Sequence, residues 1–472
     1  MENLIKFGTS GFRGIIADSF TFKTLAAAVH AIADYVHAHP VNSPPKIMVG
    51  YDPRFMGDVF AGRVAEELNT LGIDVILTDR DTPTPVISFY VIKHGLDGAV
   101  NITASHNPPV YTGIKFTPSW GGPAMLEETK QIEALANHYL ESSLFQQSAG
   151  GEGATMTVDP MPEYIDDLED KIDFKAITKA NLKVAIDPLH GAGRGYLKSI
   201  CEIHGIKHVL IHDERDPYFG GSAPDPEGTN LDGLRKLMQD DGTIALGMAT
   251  DGDADRFGIV DRNGRPVLPG YVLSVLSEYI LTTRDCKGGI GRSVATTHLI
   301  DRVARQHKRE IYETPVGFKH IGKLLSEGKI FFGGEESGGL SVAGHVPEKD
   351  GIIAGLLVLE AVAETNKSVS FLLEDIYKMV GTLYDERRDV QLNDAALAKA
   401  KELISAPSVL IDTLRPLSVD RTDGLRLLLE GGSWVLLRLS GTEPVMRIYT
   451  EGRKQTEAEQ YISMIMDVLD HV

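Results

Sequence analysis

Cysteine is nearly absent: Cys201 and Cys286 are the two in 472 residues. Two thiols are too few for a disulfide framework and fit a reducing compartment. An excess of basic charge is missing as well. Lys and Arg number 47 against 66 Asp and Glu, for a formal net charge of -19, which disfavours non-specific attraction to nucleic acid or to an anionic membrane. No uncharged apolar run is long enough to span a bilayer, and the opening MENLIKFGTSGFRG has no apolar h-region. These absences predict a cytoplasmic protein that binds neither membrane nor nucleic acid. An anionic ligand would have to be drawn by local clusters of Arg and Lys against the global field.

What is present is ordinary for a globular chain, with 42% hydrophobic and 24% charged residues at a length that suggests about three domains. Leu25, Val29, Ile32 and Val36 recur at helical spacing, Pro44 and Pro45 interrupt the chain, and KIMVG reads as a strand. A helix in DVFAGRVAEELNTLG, with Asp58 as N-cap and Gly72 as stop, leads to the strand IDVILT, a helix from Pro83 and the strand GAVNIT. Polar, glycine-rich SAGGEGATM reads as a linker, after which the rhythm restarts at LKVAID; a third round follows the turn RNGRP. Such alternation predicts sheets with helices on their faces and ligands at the carboxyl ends of the strands. The C-terminal strands RRDVQL, GLRLLLE, SWVLLRLS and VMRIYTE predict a different, α+β unit. The fold class expected is therefore α/β: three similar units with mixed, mostly parallel sheets over 1–155, 156–264 and 265–378, then a smaller α+β domain over 379–472.

Several short stretches have the composition of a site. Ser105 lies between Ala104 and His106, just past GAVNIT. Side chains at neighbouring positions diverge and triad partners come from distant parts of a chain, so an esterase-like Ser105–His106 pair is disfavoured. In ATDGDADRFG, Asp251, Asp253 and Asp255 recur at a spacing of two. On an extended segment the three carboxylates share one side and suit a hard cation; a solvated acidic turn is the alternative. An EF-hand loop is excluded, because Arg256 and Arg262 stand where its Gly and Glu belong. Near the end, Ser440, Gly441 and Thr442 between Arg438 and Arg447 offer hydroxyls, N–H groups and guanidinium groups to a phosphate, although a plain turn would read much the same. GGEESGG offers Glu335, Glu336 and Ser337 as acceptors for vicinal hydroxyls, with a flexible hairpin tip as the alternative. HGAGRGYL imitates a dinucleotide fingerprint, but its third glycine would fall at Tyr196. The histidines and Cys286 show no paired metal-ligand spacing.

FGTSGFRG, TASHNPPVYTGIKF, DGDADR, GGEESGG and RLSGTEP occur in the order and at roughly the spacing of the α-D-phosphohexomutase superfamily. Over essentially its whole length the chain resembles the phosphoglucomutase/phosphomannomutase members. The resemblance implies an enzyme that interconverts hexose 1-phosphates and hexose 6-phosphates, with hexose 1,6-bisphosphate as intermediate and activator. By match, Ser105 carries the phosphoryl group, and Asp251, Asp253 and Asp255, with the phosphate on Ser105, hold one Mg²⁺. Lys115 and Arg13 match basic groups near the transferring phosphoryl, Lys115 also being a candidate for proton transfer and His106 a partner in hydrogen bonding or proton handling. Glu335 and Ser337 match residues that grip ring hydroxyls. The non-reacting phosphate falls to Arg438, Ser440, Gly441, Thr442 and Arg447, with Lys349 as a further phosphate contact, and Arg256 supports the metal loop. Four motifs on four units imply a central cleft and movement between domains. EESGG and HVPEKDG resemble the glucose type, whereas relatives active on mannose or glucosamine phosphates have a histidine where Gly339 stands; RLSGTEP, with Leu439 for the usual proline, does not discriminate. Glucose phosphate is thus the expected substrate and mannose or glucosamine phosphate the alternative. A metal-dependent sugar-phosphate phosphatase and a non-catalytic sugar-phosphate binder are the readings from other classes.

Overall fold

A computed structural model of the chain describes residues 4–8, 11–142, 151–440 and 445–471. In the first unit the strands are β1 (Phe12–Ile15), β2 (Lys46–Tyr51), β3 (Asp74–Thr78), β4 (Gly98–Ile102), β5 (Tyr111–Pro118) and β6 (Thr155–Val158), in the sheet order β1-β5-β4-β2-β3-β6. The second has β7 (Lys183–Asp187), β8 (Lys207–Leu210), β9 (Ile244–Thr250), β10 (Phe257–Asp261) and β11 (Pro266–Val267), in the order β11-β10-β9-β7-β8. The third has β12 (Gly289–Ser293), β13 (Ile311–Thr314), β14 (Ile330–Glu335) and β15 (Gly339–Val342), in the order β13-β12-β14-β15.

One plan underlies all three. β4-β2-β3, β9-β7-β8 and β14-β12-β13 are parallel, and each set is closed by an antiparallel partner, β5, β10 or β15. The central strands GAVNI, IALGMAT and IFFGGE are buried along their whole length, as expected of strands covered on both faces. The fourth unit is an antiparallel sheet of β16 (Tyr384–Gln391), β17 (Ser418–Asp420), β18 (Leu425–Leu428), β19 (Trp434–Leu439) and β20 (Val445–Gly452), in the order β16-β20-β19-β18-β17. The expected class, three mixed α/β units and a C-terminal α+β unit, is the architecture found.

Local chemistry accounts for the elements. Thr21 and Thr24 form a capping box at the start of the helix Phe22–Ala38, and Leu25, Val29, Ile32 and Val36 all face its core. The next helix, Gly57–Thr70, starts differently from the reading of Asp58 as N-cap: Met56 precedes it in the left-handed region without a side-chain cap, and Asp58 lies in the first turn. There its charge opposes the positive end of the helix instead.

The division expected at 155 is overtaken by β6, which pairs with β3 and so belongs to the first sheet. Within the expected linker, Gly151 and Gly153 donate their N–H groups to Thr70 and Asn69, tying the segment down, while 148–150 lie outside the described residues. β11 likewise carries the second sheet past 264 through its pairing with β10, and the helix Val369–Val380 crosses 378. Turn-rich composition marks the edge of a sheet as readily as the edge of a domain.

The hydrophobic core shows which parts are packed together. A single cluster runs through the second and third units, from Ile186 and Met248 to Phe332, Leu340 and Val369, with the helix Gly351–Thr365 inside it. The first and fourth units have main clusters of their own, but Val86 and Phe89 of the first join the shared cluster, and Trp434, Leu436 and Tyr449 of the fourth pack with Val294 and Ala295 of the third. Each buried Leu or Ile contributes about 1.5–3 kcal/mol before entropy is counted. The second and third units are therefore held as one body.

Candidate active site

In each of the first three units the motif singled out from the sequence lies at the turn of the closing hairpin. Ser105 lies between β4 and β5, Asp251, Asp253 and Asp255 between β9 and β10, and Glu335 and Ser337 at the turn from β14 to β15. In the fourth unit Arg438 and Ser440 fall at the end of β19 and Arg447 on β20, while Gly441 and Thr442 lie outside the described residues.

The serine turn is held from below by residues that sequence reasoning missed. Ser105 has φ 50, an uncommon conformation for a residue with a Cβ. Its N–H donates to Thr103 Oγ1 at 2.8 Å, and Thr103 donates to Asp52 Oδ2 at 2.7 Å. Arg54, fully buried, donates to the carbonyls of Ser105 (2.5 Å), Asn107 (2.7 Å), Pro108 (2.9 Å) and Tyr111 (3.0 Å), and its Nε bonds Asp52 at 3.0 Å. The face of Phe219, from the second unit, covers the guanidinium at 4.9 Å. Burial pushes the Asp52 carboxyl up to about 6, with Arg54 and Thr103 pulling the other way. The signal in the sequence is an acid and an arginine directly after the strand KIMVGY, where one fork can gather four carbonyls.

Across the boundary with the second unit, Ser105 Oγ donates to Asp251 Oδ2 at 2.8 Å. The approach is backbone-tight. A Cβ on Gly252 would stand 2.5 Å from the Ser105 carbonyl oxygen, and one on Gly191 2.6 Å from that of Asp251. HGAGRG thus backs the acidic turn, with the Ala192 N–H on the Gly252 carbonyl at 2.9 Å. Arg194 of the same stretch forks onto Asp81 Oδ1 and Oδ2 at 2.9 and 2.8 Å, joining the first two units.

Asp251, Asp253 and Asp255 are all buried and offer oxygens within 4.8 Å of one another. Asp253 Oδ2 accepts from Thr84 at 2.7 Å, and Asp255 Oδ2 pairs with Lys349 Nζ at 2.7 Å. Asp253 Oδ1 and Asp255 Oδ1 are buried without a hydrogen-bond partner. Burial first, then Asp253 and Asp255, push the Asp251 carboxyl well up. At Asp255 burial acts in the same upward sense, but Lys349, Lys115 and Arg256 outweigh it and hold this carboxyl down. Two orphaned oxygens in an all-carboxylate cage fit a hard divalent cation such as Mg²⁺.

Positive groups surround the cage. The antiparallel register sets Arg13 opposite Gly113 and Asn101 opposite Lys115, so β1 and β5 deliver both cations to one side of the serine turn. Arg13 Nη1 donates to Asn107 Oδ1 at 2.6 Å. Lys115, buried, has Nζ 3.0 Å from Glu348 and 3.7 Å from Asp255. The Arg256 N–H donates to Asp251 Oδ1 at 3.0 Å, and its guanidinium lies 3.8 Å from Asp225. His106 Nδ1 lies 2.9 Å from Asp225 Oδ2. Burial, together with Arg256 and Arg13, pushes this imidazole down to about 4 against the pull of Asp225. Lys349, read as a phosphate contact, spans from the third unit to Asp255; a Cβ on Gly339 would collide with its Cδ at 2.2 Å.

Glu335 is buried and accepts the Gly317 N–H at 2.6 Å. Burial and then Glu336 push its carboxyl up to about 7. Glu336 is occupied by Ser293 (2.8 Å) and Thr296 (3.3 Å), and Ser337 is half-buried at the tip. Arg438 Nε donates to Asp423 Oδ2 at 2.8 Å, which also accepts the Val316 N–H at 3.0 Å, one residue before the group that holds Glu335. Arg447 lies 3.7 Å from Asp389. The structure therefore gathers Ser105, the three aspartates, Lys115, Lys349, Arg256, Arg13 and His106 into one cluster. Arg438 is linked to Glu335 through Asp423 and the 316–317 backbone.

Comparison with known proteins gives consistent results. The models of phosphoglucomutase/phosphomannomutase alpha/beta/alpha domains I, II and III match residues 4–143, 162–264 and 269–380, and the model of the C-terminal domain matches 385–468. A phosphoglucomutase of Komagataeibacter xylinus is 32% identical over 98% of this chain and 91% of its own length. A phosphoglucomutase/phosphomannomutase of Thermococcus kodakarensis is 30% identical over 98% of each. A phosphoglucosamine/phosphogalactosamine mutase of Sulfurisphaera tokodaii is 28% identical over 98% of this chain and 99% of its own. Among solved structures, the open form of parafusin, a phosphoglucomutase of Paramecium, superposes with a TM-score of 0.85 at 25% identity, covering 100% of this chain and 96% of that one.

Proposed function

The chain belongs to the phosphoglucomutase/phosphomannomutase family, and on that premise we propose that this phosphohexomutase interconverts hexose 1-phosphate and hexose 6-phosphate, glucose phosphate being preferred, by way of a phosphoserine at Ser105 and a hexose 1,6-bisphosphate. The observation that carries the reading is the 2.8 Å contact from Ser105 Oγ to Asp251, inside a cage of three buried carboxylates with orphaned oxygens. A purely binding protein has no need to bury a serine against such a cage and flank it with Lys115 and Arg13, and a two-metal phosphatase would need a second cluster of ligands, whereas the described residues hold this one.

In the first half-reaction the phosphorus exchanges the Ser105 oxygen for the oxygen of the free sugar hydroxyl, and the hydroxyl's proton ends on the released Ser105 oxygen. The second half-reaction is the reverse, with the other phosphate of the bisphosphate returned to Ser105. Asp251, Asp253 and Asp255 would hold a divalent cation beside that phosphoryl group. Such an ion supplies charge neutralisation on the phosphoryl oxygens. Lys115 and Arg13 add positive charge on the same group, where it stabilises the transition state most. His106, its imidazole pushed down to about 4 by burial, serves as a neutral partner in hydrogen bonding to the residues around the serine turn. Glu335 and Ser337 grip the ring hydroxyls. Arg438, Ser440 and Arg447, with Gly441 and Thr442, bind the phosphate that is not reacting, and the energy of that contact orients the far end of the sugar.

Glucose is favoured because Gly339 leaves the space through which the Lys349 stem passes, so a histidine at 339 and Lys349 in this pose exclude each other. The names of the relatives span glucose, mannose, glucosamine and galactosamine phosphates and support the reaction class. The two free thiols, Cys201 and Cys286, suit the cytoplasm. The test is incubation with glucose 1-phosphate, Mg²⁺ and a trace of glucose 1,6-bisphosphate. Glucose 6-phosphate should appear, faster than the products from mannose or glucosamine 1-phosphate. Phosphate released to water at the rate of isomerisation would instead identify a phosphatase.

A further inference from the structure

Glu348 is fully buried between β15 and the helix Gly351–Thr365. A carboxylate taken out of water in this way is tolerated where cations and hydrogen bonds replace its hydration. Its Oε2 lies 3.0 Å from Lys115 Nζ, and its Oε1 accepts the Lys349 N–H at 3.0 Å and lies 4.0 Å from Lys349 Nζ. Asp255 Oδ2 meets the same two ammonium groups from the other side, Lys349 at 2.7 Å and Lys115 at 3.7 Å. Glu348, Lys115, Asp255 and Lys349 thus alternate in sign around a closed square drawn from three units of the fold.

The square is asymmetric. Lys115 sits nearer to Glu348 than to Asp255, and Lys349 does the opposite. The chain just after Glu348 is fixed: the Asp350 N–H donates to Leu340 and the Gly351 N–H to Ala254 of the acidic turn, at 2.9 and 3.0 Å. Asp350 itself accepts from Tyr164 at 2.6 Å and lies 2.7 Å from His345 Nε2. A Cβ on Gly351 would meet the Arg256 carbonyl at 2.2 Å, so the loop is pressed directly onto the acidic turn. Glu348 is therefore a stiff anchor, whereas Lys115 ends a long, flexible stem.

We propose that Glu348 is the positioning residue for Lys115. It draws the ammonium off Asp255, so that Asp255 keeps oxygens for the cage and the ammonium stands over the group on Ser105. Without it Lys115 has one carboxylate left, Asp255, and moves onto it. The catalytic consequence rests on the mutase reading above; the placement of Lys115 does not.

Two measurements test this. In crystal structures of the metal-free wild type and Glu348→Gln, Lys115 Nζ is expected to move towards Asp255 by about 1 Å, a shift of the size that costs orders of magnitude when a reacting group is misplaced. An unmoved Lys115 overturns the proposal. In a double-mutant cycle, Glu348→Gln is expected to lower kcat about thirtyfold with KM changed less than about threefold, but to cost less than about twofold when Lys115 is already Met. Equal costs in both backgrounds overturn it, since a merely structural role would be felt with or without the lysine. Glu348→Asp, which keeps the charge on a shorter arm, should recover part of the loss and serves if Glu348→Gln folds poorly. Should the wild type turn over no hexose phosphate, the mutase reading falls, while the crystal structures still decide the role of Glu348.

Discussion

The hairpin that carries Asp251, Asp253 and Asp255 and the one that carries Arg438 and Arg447 are both pairs of antiparallel strands, yet they are built to opposite ends. The three aspartates are 0, 1 and 2% exposed. They are held in place by Thr84, Gly191, Gly252 and Lys349 before any ligand arrives. The arginine side chains are 18 and 25% exposed and lie on carboxylates of their own unit, Asp423 and Asp389. A crowded set of like charges cannot wait in a dry interior unless the surroundings fix it, so rigidity is the condition for having the cage at all. The hairpin proposed to bind phosphate has no such constraint. On that proposal its guanidinium groups rest on acids that a phosphate would replace, and the main core of its unit is a cluster of its own.

Changes on the rigid side should therefore strike the chemical step. Ser105→Ala should reduce kcat by about 10⁴-fold or more with thermal stability little altered, because a nucleophile is lost from a scaffold that does not depend on it. Asp253→Asn should lower kcat about 10³-fold and also separate two effects on stability. In wild type, Mg²⁺ at a hundredfold excess over its Kd should add about 2.7 kcal/mol. In the variant the metal-free protein should be at least as stable as wild type, because one repelling charge is gone, and Mg²⁺ should no longer raise Tm. Calorimetry with and without Mg²⁺ reads both.

On the more exposed side, Arg447→Ala should raise KM for hexose phosphate about 10- to 100-fold and lower kcat less. A fall in kcat without a change in KM would erase the distinction between the two turns. The smallest effect concerns Glu451 on β20. Burial pushes its carboxyl up to about 7 from an ordinary 4.5, against the pull of Thr297, His298 and Trp434. A raised carboxyl binds its proton more tightly in the folded than in the unfolded state. Its stabilising contribution is thus full below about pH 4.5 and is lost as pH rises through about 7. Melting curves should show Glu451→Gln losing less stability than wild type between pH 5 and pH 8; parallel losses would refute the assignment.

The parts of this site that could be read from the sequence are those whose chemistry is local. Three aspartates at a spacing of two suit a cation when they are buried, and Ser105 follows a buried strand. What could not be read depends on pairing between distant parts of the chain. Arg54 and Glu348 look like ordinary loop charges in YDPRF and HVPEKDG, and only the fold shows that one gathers four carbonyls and the other closes a square of charges. β1 and β5 were equally hard to foresee, since FRGI and YTGIKFTP contain glycine or proline and lack the long apolar run of a central strand. Their antiparallel register is nevertheless what delivers Arg13 and Lys115. HGAGRG, which imitates a dinucleotide fingerprint without completing it, serves as support, its small residues letting two loops touch.

The most direct test of the central claim follows the phosphoryl group itself. Protein incubated with glucose 1,6-bisphosphate and Mg²⁺ should gain the mass of one phosphoryl group, located at Ser105 by peptide mass spectrometry and absent from Ser105→Ala. On addition of glucose 1-phosphate alone the group should leave for the sugar as bisphosphate. A Ser105 that never acquires the group, or one that holds it unchanged in the presence of hexose phosphate, would contradict the account.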